Sequence, residues 1–183
     1  MAIKTFTTGE VLTASDTNTY LANSGLVYVT SATIGTAVST VTLSNCFSST
    51  YDSYRVVIAG SVGSILTDNV YLTLGSSVTG YYGSLIYTTF ASSTVLAATD
   101  NNGVRFTYVA NANNAVINSS FDLHSPFLAK YTNIQNAVWC PKDAVGQYNG
   151  MHQVATSYSS FTLTTPGSTM TGGTVTVYGY RKA

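Results

Sequence analysis

The feature that most restricts this chain is a short-range alternation of apolar and polar side chains, broken every few residues by glycine, asparagine, aspartate and serine. Val70, Leu72 and Leu74 alternate with Asn69, Tyr71 and Thr73. Successive side chains of a strand point to opposite faces, so this order gives one apolar and one semi-polar face. Ile117, Phe121 and Leu123 alternate with Asn118, Ser120, Asp122 and His124 in the same way. Further strands are predicted over Leu26–Thr30, Val38–Leu43, Tyr54–Ala59, Tyr81–Thr88, Val104–Val109, Ile134–Cys140, Met151–Thr156, Phe161–Thr164 and Thr174–Tyr180. In the last of these Val175 and Val177 are expected to face inward, with Tyr178 and Tyr180 on the opposite face. Thr99-Asp100-Asn101-Asn102-Gly103 and Asn111-Ala112-Asn113-Asn114 supply turn chemistry between strands. Many strands at short spacing predict an all-β fold, an antiparallel two-sheet sandwich of jelly-roll type.

Only the N-terminal region departs from this pattern. Thr13-Ala14-Ser15-Asp16 fits a capping box, with Thr13 as N-cap and the Asp16 carboxylate three residues on. One short helix is predicted from there to about Ala22. The strand pattern begins near Leu26, which divides the chain into an N-terminal arm with a short helix, 1–25, and a β-sandwich domain, 26–183. A total of 183 residues suits one domain with a substantial core.

Charge narrows the function classes. Charged residues make up 8% of the chain, against roughly 25% in an average soluble protein. Seven basic and seven acidic residues cancel, and between Glu10 and Asp52 only Asp16 is charged. Such a surface releases few counterions from a nucleic acid, so no nucleic-acid partner is expected. No apolar run approaches the 18 or so residues that span a bilayer as a helix, so no membrane insertion is expected. A near-neutral chain also lacks the self-repulsion that keeps copies apart, which favours burial of its surface in an assembly. The 14 tyrosines and 7 phenylalanines can supply contact area for one. The first residues contain no apolar signal-peptide core, so synthesis and assembly in a cytosol are expected. Cys46 and Cys140 are then expected to be buried free thiols.

The motifs that carry chemistry are missing from the sequence. It contains no nucleophile elbow, phosphate-binding loop, dinucleotide fingerprint or paired-histidine zinc motif. Its histidines are His124 and His152. Asp122 and His124 should share one strand face and could be imagined as metal ligands or an acid/base pair. No third ligand is signalled nearby, and a solvated polar face is expected instead. The sequence therefore predicts no catalytic residue, no metal and no cofactor.

The opening segment from Phe6 through Gly9-Glu10-Val11-Leu12-Thr13 to Tyr20-Leu21 resembles the N-terminal segment of many small structural proteins of tailed bacteriophages. The closing Gly172-Gly173-Thr174-Val175-Thr176-Val177-Tyr178-Gly179-Tyr180-Arg181-Lys182 is similar to the last strand of phage fibre and decoration proteins. Tyr51-Asp52-Ser53-Tyr54-Arg55-Val56-Val57-Ile58 resembles an early core strand of the same jelly-roll modules. The resemblance implies a homotrimer in the virion, with an N-terminal arm docked onto another virion protein. Phe6, Val11, Leu12, Tyr20 and Leu21 would supply the anchoring contacts of that arm. A short tail fibre or head fibre would present the sandwich outward, with Tyr81, Tyr82, Tyr178 and Tyr180 as candidate contacts to host-surface glycans or to neighbouring subunits. The alternative from the same resemblance is a capsid decoration protein that cements the head.

Overall fold

The computed structural model describes residues 6–17 and 25–182. Among these residues, thirteen strands follow one helical turn, α1 (Ala14–Asp16). Thr13 caps it through both bonds of the capping box: Asp16 N–H donates to Thr13 Oγ1 at 3.1 Å, and Thr13 N–H donates to the Asp16 carboxylate at 3.2 Å. Residues 18–22 of the predicted helix lie outside the described residues, as do Tyr20 and Leu21.

The strands are β1 (Leu26–Thr33), β2 (Thr40–Leu43), β3 (Ser53–Gly63), β4 (Asn69–Leu74), β5 (Tyr81–Thr89), β6 (Leu96–Gly103) and β7 (Phe106–Asn111). They continue as β8 (Ile117–His124), β9 (Thr132–Trp139), β10 (Ala144–His152), β11 (Phe161–Thr164), β12 (Met170–Thr171) and β13 (Thr174–Tyr180). One sheet runs β2-β11-β4-β7, and the other runs β1-β13-β3-β8-β9-β10-β5-β6, with β12 paired to β3. All these pairings are antiparallel. Without the β5–β6 and β9–β10 hairpins, the two layers are β1-β13-β3-β8 and β2-β11-β4-β7. That interleaving of early and late strands is the winding of a jelly roll. Both hairpins attach beyond β8 and widen the same sheet, while β7 packs across β8, β9, β10, β5 and β6 on its inner side.

The core forms where the two layers face each other. Val70, Leu72 and Leu74 of β4 are fully buried between half-buried neighbours, as alternation requires. Val175 and Val177 of β13 are buried as expected, and Tyr178 and Tyr180 are half-buried on the other face. Gly179 also points inward, and a Cβ there would collide with the Tyr51 ring that covers it. Phe47 stacks on Phe161 at 5.7 Å and meets Tyr54 at 4.8 Å, which joins the layers with aromatic surface.

Several expectations are corrected. Thr99-Asp100-Asn101-Asn102-Gly103 is the second half of β6 rather than a turn. Asp100 is tolerated in a strand because its carboxylate accepts bonds from Thr107 N–H at 3.0 Å, Thr107 Oγ1 at 2.6 Å and Tyr148 Oη at 2.6 Å. The strand predicted over Met151–Thr156 lies earlier, as β10, because Gly146 and Gly150 are accommodated against β5. Asn111–Asn114 does turn the chain as expected: Asn113 Oδ1 accepts from the N–H groups of Ala115 and Val116. Cys46 is buried and free, but Cys140 is exposed, since it stands at the β9–β10 turn beside Pro141.

Candidate functional site

Strand direction assigns the loops to two ends. The starts of β1, β3, β5 and β9 and the ends of β8, β10 and β13 lie together, because Leu26 pairs with Tyr180, Ser53 with His124, and His152 with both Tyr81 and Thr132. The chain enters the sandwich at this end. The opposite end gathers the loops 64–68, 90–95, 112–116 and 140–143. Bonds between loops hold it together: Phe90 N–H donates to Asp143 O, Gly63 N–H to Asn113 O, and Asn113 Nδ2 to Cys140 O. Ile65, Leu66, Phe90, Val95 and Val116 are exposed there.

The outer face of the large sheet carries an ordered charged group. Arg55 lies opposite Asp122 across β3 and β8. Its Nε and Nη2 donate to the two Asp122 oxygens at 2.9 and 2.7 Å, and Tyr180 Oη donates to Oδ1 at 2.7 Å. Burial opposes ionisation of Asp122, but the Arg55 and Tyr180 bonds outweigh it and hold the carboxyl below its ordinary range. His124, opposite Ser53, has its Nδ1 2.9 Å from Ser53 Oγ. The expected solvated polar face is thus corrected to a cross-strand network whose acid is buried. No group of three or more His, Cys, Asp or Glu residues that could hold a metal ion occurs among the described residues.

A groove of about 620 Å3 runs over the outer side of β5, β10 and β9. Its lining includes Tyr82 and Ser84 from β5, Asn149 and Met151 from β10, and Asn133 and Gln135 from β9, with Gln153 just beyond β10. No charged residue lines it among the described residues. Asn136 takes a left-handed conformation, with φ 60°, at the break in register between β9 and β10. Asn149 Oδ1 accepts from Asn136 N–H at 2.9 Å, and Gln147 Nε2 donates to Asn136 Oδ1 at 3.0 Å. Side-chain amides therefore tie the bulge beside the groove. On the inner side of the same strands, Gly83 pairs with Gly150, and a Cβ on Gly83 would collide with the Tyr148 hydroxyl.

The sequence-predicted contacts fare unequally. Tyr81 is fully buried, with its hydroxyl accepting from Leu74 N–H at 2.9 Å and donating to Ser77 O at 3.3 Å, so its assignment to a surface contact is corrected. The reason is strand parity: Tyr81 opens β5 on the inward side, and Tyr82 turns outward into the groove. Tyr178 meets Tyr28 edge-on at 6.3 Å on the outer face, while Tyr180 is engaged with Asp122. Phe6, Val11 and Leu12 are exposed. The groove amides were missed because they come from two strands, β9 and β10 with its following residue, and face a tyrosine on a third, β5, so only the register makes them neighbours. No known protein family, curated protein or solved structure matches this chain.

Proposed function

We propose that this chain is a non-enzymatic structural protein of a tailed-bacteriophage particle. In this reading it is a short tail- or head-fibre component that docks by residues 1–25 and carries a homotrimeric β-sandwich outward. The observation that carries the reading is the separation of the two ends of the jelly roll. The chain enters β1 at one end, and exposed Ile65, Leu66, Phe90 and Val95 stand at the other. A module of that polarity can be held at one end while its far loops and broad sheet face meet other surfaces. Its low charge and the resemblance of its two termini to phage virion proteins support the same assignment.

The test is a truncation. Deleting residues 1–24 should leave a folded sandwich that melts as the full chain does and no longer joins particles in a complementation assay. Light scattering should give about three times the 19.3 kDa chain mass for the full protein and about three times its own smaller chain mass for the truncated one. A monomer at micromolar concentration would overturn the trimer, and a truncated chain that still assembles would overturn the docking arm. Counting copies separates fibre from decoration: hundreds per particle would place the protein on the head surface, and a few tens or fewer on a fibre.

A further inference from the structure

We propose that the outer face of β5, β10 and β9 is a binding site for a neutral oligosaccharide. The proposal deepens the reading of the chain as an outward-facing surface module and rests on it for a biological source of the ligand. The site itself is argued from the groove. Its volume of about 620 Å3 falls among small-ligand sites, roughly 300–1,000 Å3. Its floor is three hydrogen-bonded strands, so the lining side chains stand on a fixed grid with strand spacings of about 4.8 Å. That preorganisation lowers the ordering cost of binding.

The lining chemistry selects the ligand class. Asn133, Gln135, Asn149 and Gln153 contribute four primary amides; Asn149 Oδ1 is engaged by Asn136 N–H, so that amide offers its N–H donors, and the others offer N–H donors and a carbonyl acceptor. A sugar diol likewise donates and accepts at once, so an amide can meet it without leaving an unpaired group. No Lys, Arg, His, Asp or Glu among the described residues lines the groove. A phosphate, sulfate, carboxylate or amine would lose water there and gain no opposite charge. Tyr82 and Met151 are direct cross-strand partners. They give a half-buried platform for the C–H face of a pyranose beside the amide row.

Two further observations favour an occupant whose hydroxyls both donate and accept. Asn133 Oδ1 is shielded from solvent and has no hydrogen-bond partner. An amide in that state gains free energy if a small rotation brings it to a donor. At the neighbouring bulge Asn149 Oδ1 accepts from Asn136 N–H, which in turn is braced by Gln147 Nε2 on Asn136 Oδ1, so Asn149 presents its two N–H donors at the groove edge.

The full chain should be applied to an immobilised panel of neutral gluco-, galacto- and manno-oligosaccharides alongside sialylated, sulfated and uronate-bearing ones. The best ligand is then titrated by calorimetry against Tyr82→Ala, Gln135→Ala and the outer-face control Tyr28→Ala. The expected result is retention of neutral members, a loss of affinity of at least tenfold in Tyr82→Ala and severalfold in Gln135→Ala, and no change in Tyr28→Ala. Matching melting temperatures would show that the variants fold. No retention, retention of charged glycans alone, or binding indifferent to both groove variants would overturn the site. Particle association is scored separately. A chain that assembles into particles but ignores every neutral glycan sinks the groove and leaves the virion reading standing, and a glycan binder that joins no particle does the reverse.

Discussion

Replacing Asp122 by asparagine tests the outer-face network with a signature that simple misfolding would not produce. Asp122 is buried and accepts three hydrogen bonds, two from Arg55 and one from Tyr180. A bond to a charged group contributes roughly 1.5–3 kcal/mol when it is well shielded. The Arg55 side chain is 37% exposed, so its two bonds are discounted towards the surface value of roughly 0.2–1 kcal/mol. The asparagine side chain would keep one acceptor for Tyr180 and would turn its amide donors towards a guanidinium that cannot accept. The net loss is about 2 kcal/mol, and in a domain of this size that lowers the melting temperature by about 4–8 °C near neutral pH. The pH dependence follows from the carboxyl being depressed in the folded state. Its contribution is fully present above the ordinary carboxylate value, about 3.9, and is lost as pH falls through the lower folded value. The gap between melts of both proteins at fixed concentration should therefore narrow as the pH falls from about 7 to about 2.5. Buried His152, whose protonation is disfavoured by desolvation, destabilises both proteins alike as pH falls and cancels in the difference. A gap that stays constant across that range, or no gap at neutrality, would refute the role given to the Arg55–Asp122–Tyr180 contacts.

Two other expectations separate inward from outward positions. Val177→Ala removes two buried methyl groups at about 0.8 kcal/mol each plus a cavity, so it should destabilise the fold by about 2–3 kcal/mol. Tyr178→Ala, on the other face, should change the light-scattering mass more than the melting temperature, and the reverse order for the pair would invert the assignment of β13 faces. In thiol titration the native protein should react at exposed Cys140 alone, because burial pushes the Cys46 thiol up to about 12, and a second equivalent should appear on unfolding.

Local pattern was enough to find the strands whose two faces differ in polarity. β4, β11 and β13 follow the predicted spans because valine, leucine and phenylalanine alternate there with threonine, tyrosine or asparagine over one buried face. β6 escaped because its inward positions are held by polar bonds rather than apolar burial. Asp100 reaches Thr107 and Tyr148, and at the far end of the strand Asn102 Oδ1 accepts from Gly80 N–H at 3.1 Å. Those partners stand on or beside other strands, and a run of aspartate and asparagine without them is turn chemistry. Tyr81 failed in the opposite sense: a tyrosine between glycines resembles a loop contact, yet its position in β5 puts the ring against Phe106 at 4.9 Å.

The candidate groove lies beyond local reading for a geometric reason. Tyr82 can be assigned to one face from β5 alone, but its neighbours Met151 and Asn133 become neighbours only when β10 is set between β5 and β9. Both hairpins that supply these strands are insertions into the eight-strand winding, after β4 and after β8, and their inner faces are closed by β7 and by rings such as Phe106 and Tyr108. Their outer faces were therefore free to take amides in place of apolar groups without any loss of core. The jelly roll contributes the stable frame, and the widened sheet contributes an uncharged surface that the frame alone does not need. That division is why substitutions at Tyr82 and Gln135 should report on binding, while those at Val177 report on the fold.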